Sequence, residues 1–72
     1  MTPIELNKLE NYIRNCVITV DGRRIVLFVW RNYTRNLLVV EAGGVSVYLP
    51  FSLTYDEALA KFLLTFNVHE DE

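Results

Sequence analysis

Two short turn signals, each set between runs of β-branched residues, constrain the fold of this chain most. Asp21-Gly22 and Gly43-Gly44 consist of residues that adopt the positive φ angles required by a two-residue hairpin turn. A polar stretch at 32–36 supplies a longer turn between the two hairpins, and Pro50 ends the last strand. The sequence therefore predicts a four-stranded antiparallel meander sheet. Its predicted strands are residues 16–20, 24–30, 37–42 and 45–49.

The two-residue turns also predict which residues face each other. In the first hairpin Ile18 opposes Ile25, the second hairpin follows the same rule, and we expect Trp30 to oppose Leu37 across the longer turn. Opposed residues share a face, and faces alternate along each strand. One face of the sheet is then apolar throughout, and we take it as the core face. It consists of Cys16, Ile18, Val20, Ile25, Leu27, Val29, Leu38, Val40, Ala42, Val45, Val47 and Leu49.

Both ends of the chain carry the sequence signals of a helix. Thr2 with Glu5, and Thr54 with Glu57, have the three-residue spacing of a capping box, which satisfies backbone N–H groups at a helix start. Apolar residues recur at three- and four-residue intervals after each box. The spacing predicts a helix over 3–14 and a second helix after Thr54.

These elements predict a single α+β domain over residues 1–72, in the order helix, four strands, helix. Residues 68–72 are expected to form a frayed acidic tail. The 51% hydrophobic content excludes an intrinsically disordered chain. Because the chain has one cysteine, no intramolecular disulfide stabilises the fold, and a dense core or a partner must do so.

The composition argues against several functional classes. A net charge of −2 is unlike that of a polybasic binder of nucleic acid or membranes. The longest apolar run, 25–30, is far shorter than the roughly 18 residues of a membrane span, and no signal peptide is evident. We therefore expect a cytoplasmic protein. His69 falls in the expected tail and Cys16 on the core face, so we expect no catalytic pair, metal site, cofactor or small-molecule substrate.

The second face of the predicted sheet is aromatic at one end. If both helices cover the core face, the apolar patch on the second face is exposed. Exposed patches of this kind mark interfaces. If one helix covers each face instead, Trp30 belongs to the core. The second face consists of Val17, Thr19, Arg24, Val26, Phe28, Trp30, Leu37, Val39, Glu41, Ser46 and Tyr48, of which Phe28, Trp30, Leu37, Val39 and Tyr48 form the patch.

Tryptophan, tyrosine and arginine are the residues most enriched at interface hot spots, and all three types cluster around Trp30. We therefore expect a homodimer, a larger protein partner, or both at this surface. Small acidic α+β proteins without an active site are a form often taken by phage-encoded inhibitors of host defence, such as anti-CRISPR proteins. The expected function is that of a non-enzymatic regulator or inhibitor, and a purely structural homodimeric subunit is an alternative. The predicted partner-binding residues are Arg24, Phe28, Trp30, Arg31, Tyr33, Arg35, Leu37 and Tyr48.

A further alternative is single-stranded nucleic-acid binding, with the aromatic rings stacked on bases and Arg24, Arg31 and Arg35 at the phosphates. Residues 37–66, LLVVEAGGVSVYLPFSLTYDEALAKFLLTF, follow the order strand, turn, strand, helix. In this layout the chain resembles the Pur-repeat and Whirly-type single-strand binders, and the resemblance implies dimerisation. The chain differs from them in its added N-terminal helix and in lacking basic strands.

Overall fold

The chain folds into an α+β arrangement, as the sequence predicts. The computed structural model describes residues 1–70. Within these residues the elements, in order, are α1 (Pro3–Arg14), β1 (Cys16–Val20), β2 (Arg23–Val26), β3 (Phe28–Asn32), β4 (Leu37–Ala42), β5 (Val45–Pro50), α2 (Tyr55–Thr65) and β6 (Val68–Glu70).

The strands of residues 1–70 form two three-stranded antiparallel sheets, and the predicted single four-stranded sheet is wrong. The first sheet has the order β2-β1-β6 and the second sheet the order β3-β4-β5. The predicted second strand, 24–30, is divided at Leu27, so that its first half pairs with β1 and its second half with β4. The alternation of apolar residues continues through both halves. Alternation determines the face on which a side chain lies, but it does not determine the strand with which the backbone pairs.

The segment Val68–Glu70 is a strand, and the expectation of a frayed tail is wrong there. It pairs antiparallel with β1 and places Val68 opposite Ile18. Without β6, one side of β1 would present unpaired backbone N–H and C=O groups, and a short strand satisfies them. Asp71 and Glu72, the rest of the predicted tail, lie outside the described residues.

Both hairpins have the predicted register. Ile18 pairs with Ile25 around a turn in which Asp21 has φ 51° and Gly22 has φ 77°. In the second hairpin Gly43 and Gly44 have φ 58° and 79°. Positive φ at both central residues is the turn conformation whose twist matches that of the paired strands. The chemistry of these short turns therefore sets the strand pairing on either side of them.

The turn between the hairpins is shorter than predicted. Trp30 pairs with Val39 and not with Leu37, because β3 continues to Asn32 and only residues 33–36 turn. A polar residue such as Asn32 is compatible with a strand position that faces solvent, so polarity alone placed it wrongly in the turn. The register shift is two residues, which leaves every side chain on its predicted face.

Both capping boxes are formed. At α1 the Thr2 hydroxyl accepts from the Glu5 N–H at 3.2 Å, and the Glu5 carboxylate accepts from the Thr2 N–H at 2.8 Å. The same exchange joins Thr54 and Glu57 at the start of α2, over 3.1 and 3.0 Å. Hydrogen bonds to the charged carboxylate favour its ionised form, so Thr2 lowers the pKa of Glu5 and Thr54 lowers the pKa of Glu57.

The helices pack side by side against one face of the second sheet, which we call the inner face. Leu9 and Ile13 of α1 and Phe62 of α2 are fully buried there, together with Leu38 and Leu49 of the sheet. Most of the predicted core face lies in this core. Its two exceptions, Val20 at 39% exposed and Val45 at 47%, flank the hairpin turns. Over the described residues, neither helix has the length and apolar character to cross a membrane.

Candidate functional site

A row of three side chains crosses the middle of the second sheet on the face away from the helices, which we call the outer face. Trp30 of β3 pairs with Val39 of β4, and Val39 pairs with Tyr48 of β5. Cross-strand neighbours on one face lie close enough for their side chains to touch. Trp30 is 44% exposed and Tyr48 54%, whereas Val39 between them is only 5% exposed. The two aromatic rings therefore shield the central valine and present their own apolar surface to solvent.

Two further rows complete the outer face. Register defines the row at the turn between β3 and β4 as Asn32, Leu37 and Pro50, and the row at the opposite end as Phe28, Glu41 and Ser46. Phe28 is 63% exposed, which makes it the most exposed of the aromatic side chains on this face. The outer face is thus a three-by-three arrangement with an apolar centre and polar groups towards both ends.

The outer face encloses a shallow concavity of about 610 Å³. Its lining comes from all three strands and from the turn: Trp30, Asn32, Arg35, Leu37, Val39, Glu41, Ser46 and Tyr48. A face with exposed aromatic rings and a few polar groups can contact an apolar surface of a partner.

Opposite charges stand at the two ends of this concavity. Arg35 lies in the turn at one end, where its backbone N–H donates to the Asn32 side-chain oxygen at 3.1 Å. Glu41 lies at the other end and accepts a long hydrogen bond of 3.5 Å from the Ser46 hydroxyl. Among residues 1–70, neither the Arg35 guanidinium nor the Glu41 carboxylate takes part in an ion pair. Both charges are therefore available to a molecule that sits on the outer face.

The outer face brings together five of the eight predicted partner-binding residues. Trp30, Arg35, Leu37 and Tyr48 line the concavity, and Phe28 lies in the row beside it. The patch is exposed because both helices pack on the inner face, which is the arrangement that the patch prediction required.

Arg31 and Tyr33 lie elsewhere. Arg31 alternates with Trp30 along β3, so its side chain is on the inner side, next to α1. There its Nε donates to the Glu10 carboxylate at 2.6 Å and its Nη1 donates to the Tyr33 hydroxyl at 3.2 Å. The hydrogen bond to Glu10 raises the pKa of Arg31, so this guanidinium stays charged. Tyr33 packs edge-on against Phe51 with 6.0 Å between ring centroids.

Arg31 therefore links β3 to α1, a role that its position beside Trp30 in the sequence does not indicate. The Glu10 carboxylate also pairs with Arg14 at 2.5 Å, so one buried acid joins α1 to β3. Adjacent residues of a strand point to opposite faces, so proximity in sequence to Trp30 excludes Arg31 from its face.

Arg24 is the third predicted residue away from the outer face. It belongs to β2 in the first sheet, where it pairs with Thr19. The division of the predicted strand at Leu27 is what separates Arg24 from Trp30. Of the three arginines that the sequence assigned to a nucleic-acid surface, only Arg35 borders the concavity.

The predicted set of partner-binding residues lacks four residues that line the concavity: Asn32, Val39, Glu41 and Ser46. The predicted register places all of these except Asn32 on this face, and it places Val39 in the apolar patch, but the partner-binding prediction follows residue type and omits them. Asn32 was assigned to the turn. The signal that identifies all four is their cross-strand position relative to Trp30 and Tyr48.

The part of the chain that the structure describes contains no group of three His, Cys, Asp or Glu side chains placed to hold a metal ion. His69 of β6 pairs with Val17 of β1. The buried Cys16 thiol donates to the Tyr12 carbonyl at 3.2 Å. Comparison of the chain with protein-family models, curated proteins and solved structures gives no match.

Proposed function

We propose that this chain is a small non-enzymatic protein-binding module, a regulator or inhibitor, whose contact surface is the outer face of the second sheet. One observation carries the proposal: Trp30 and Tyr48 stand exposed in one cross-strand row, next to an exposed Phe28. Exposing large apolar side chains side by side is unfavourable in water, and such patches on small domains serve as binding sites.

The residue types of the outer face also suit a protein partner. Interface hot spots are dominated by Trp, Tyr and Arg at the centre of a patch, with polar groups around them. Trp30 and Tyr48 occupy the centre here, while Arg35 and Glu41 stand at the ends. An arrangement with both charge signs suits the mixed charges of a protein surface better than the uniform negative charge of a phosphate backbone.

Site-specific photo-crosslinking in cells tests this function. A photoreactive phenylalanine analogue at position 48 is expected to give covalent adducts with protein, and nuclease treatment should leave those adducts unchanged. The matched control carries the same analogue at Leu64, which is 89% exposed on α2. Adducts at both positions alike, or at neither, would contradict a contact surface on the outer face.

Single-stranded nucleic-acid binding is the second candidate function. The aromatic row favours it, because exposed rings on a sheet face can stack on unpaired bases. The arginines weaken it, since Arg31 is bound to Glu10 and Arg24 lies on the first sheet. Under this hypothesis an oligonucleotide quenches Trp30 fluorescence and added salt reverses the quenching. No quenching at low salt and micromolar protein would eliminate this candidate.

A further inference from the structure

The charges on the outer face are arranged almost symmetrically about its aromatic row. Leu37 and Glu41 lie two residues to either side of Val39 on β4, at opposite ends of a stretch of about 14 Å. The turn residue Arg35 lies beyond Leu37 and makes that end of the face positive. Glu41 makes the opposite end negative. A surface with an apolar centre, a positive end and a negative end is complementary to a copy of itself that has been turned end for end.

We propose that the outer face binds a second copy of this chain, face to face, with the strands of the two copies running antiparallel. Arg35 of each copy then pairs with Glu41 of the other. This inference rests on the proposed function, because it names the occupant of the same contact surface. Two-fold symmetry repeats every contact, so the dimer gains the Arg35–Glu41 pair twice.

Charge selects this orientation from the two in which the strands of the two copies are aligned, parallel or antiparallel. With the axis parallel to the strands, Glu41 lies over Glu41 of the second copy and the two Arg35 side chains meet at one end, so like charges oppose binding. With the axis perpendicular to the strands and through Val39, the Leu37 end of one copy lies over the Glu41 end of the other. The aromatic rows then face each other, which places Trp30 against Trp30 in the apolar centre.

The size of the face predicts a weak dimer. Five residues along three strands cover about 17 by 14 Å, a footprint of roughly 240 Å². A standard protein interface buries about 800 Å² per partner. We therefore expect a weak dimer, whose population depends steeply on protein concentration.

Sedimentation equilibrium of the purified chain, from about 5 μM to 1 mM, measures this self-association. Arg35→Glu and Glu41→Arg should each weaken it by about tenfold or more, because each places like charges together twice in the dimer. The double variant R35E/E41R restores opposite charges and should return the dissociation constant to within about threefold of the original. Arg23→Glu, an exposed charge reversal on the first sheet, is the matched control and should change nothing. Circular dichroism checks that every variant is folded.

A chain that stays monomeric up to about 1 mM would overturn the proposal. So would self-association that both single reversals leave unchanged, or a double variant as weak as either single one. The crosslinking experiment separates these failures from a failure of the proposed function. Adducts from position 48 to other proteins, with a monomeric purified chain, keep the contact surface and reject the second copy. No adducts at all reject both.

Discussion

The carboxylate of Glu10 accepts from Arg31 at 2.6 Å and pairs with Arg14 at 2.5 Å, in a position where its side chain is only 10% exposed. It is the one charged side chain that is buried among residues 1–69. A buried acid of this kind is stabilising only while its partners are present, because its desolvation is offset by them. The Glu10–Arg31 pair therefore joins α1 to β3 on the inner side of the second sheet.

Replacing Glu10 tests this role at the scale of one residue. Glu10→Ala leaves the Arg31 guanidinium without its main partner, and we expect the free energy of unfolding to fall by about 2 kcal/mol. Urea denaturation at pH 7 measures the change. Asn11→Ala, at the next and exposed position of α1, is the control and should stay within about 0.5 kcal/mol of the original chain. Equal effects of the two substitutions would show that the Glu10 contacts contribute nothing to stability.

The capping boxes act at the scale of whole elements, because each one sets the start of a helix. The folded-state pKa values of Glu5 and Glu57 lie below the ordinary value of 4.5, through the hydrogen bonds donated by Thr2 and Thr54. A depressed pKa means that the stabilisation is fully present above the unfolded-state value and is lost as pH falls through the folded-state value. Helix stability should therefore decline in acid below about pH 4.5.

The double variant Glu5→Gln, Glu57→Gln isolates this effect. Glutamine keeps the acceptor oxygen of the capping box but has no titrating carboxylate, so the acid-induced loss of stability should become shallower. Thermal unfolding followed by circular dichroism between pH 2.5 and 6 gives the two profiles, with the original chain as reference. Parallel profiles would show that other carboxylates cause the acid sensitivity.

The elements that the sequence predicts correctly are those specified by residues close together in the chain. The turn at Asp21-Gly22 contains the whole signal for its hairpin, as Thr54 and Glu57 do for the start of α2. The division at Leu27 and the strand β6 depend on pairing between distant segments, which no local pattern records. The site follows the same rule. Trp30, Leu37 and Tyr48 lie on the face that alternation predicts for them. The prediction that groups Arg31 with Trp30 relies on proximity in sequence, and Arg31 lies on the inner side.

At the scale of the whole molecule, the position of the helices explains why the apolar residues of the outer face are exposed. Both helices cover the inner face, so the apolar residues of the opposite face have no layer of their own. Two packed layers are enough to bury one core, and within residues 1–70 neither helix packs on the outer face. The outer face therefore stays exposed in the single chain, which is the condition that the proposed contact surface requires.

The two faces of the second sheet should respond differently to substitution. Trp30 is 44% exposed and lies outside the core, whereas Phe62 is fully buried, with ring centroids 6.2 Å from Tyr12 and 5.7 Å from Phe66. In dilute solution Trp30→Arg should lower the free energy of unfolding by no more than about 1 kcal/mol, mainly by uncovering Val39. Phe62→Ala should lower it by about 3–5 kcal/mol, enough to unfold a marginally stable small domain. Urea denaturation of both variants at equal concentration measures the two free energies of unfolding. If Trp30→Arg proves as costly as Phe62→Ala, then Trp30 belongs to the core and the outer face is not a contact surface.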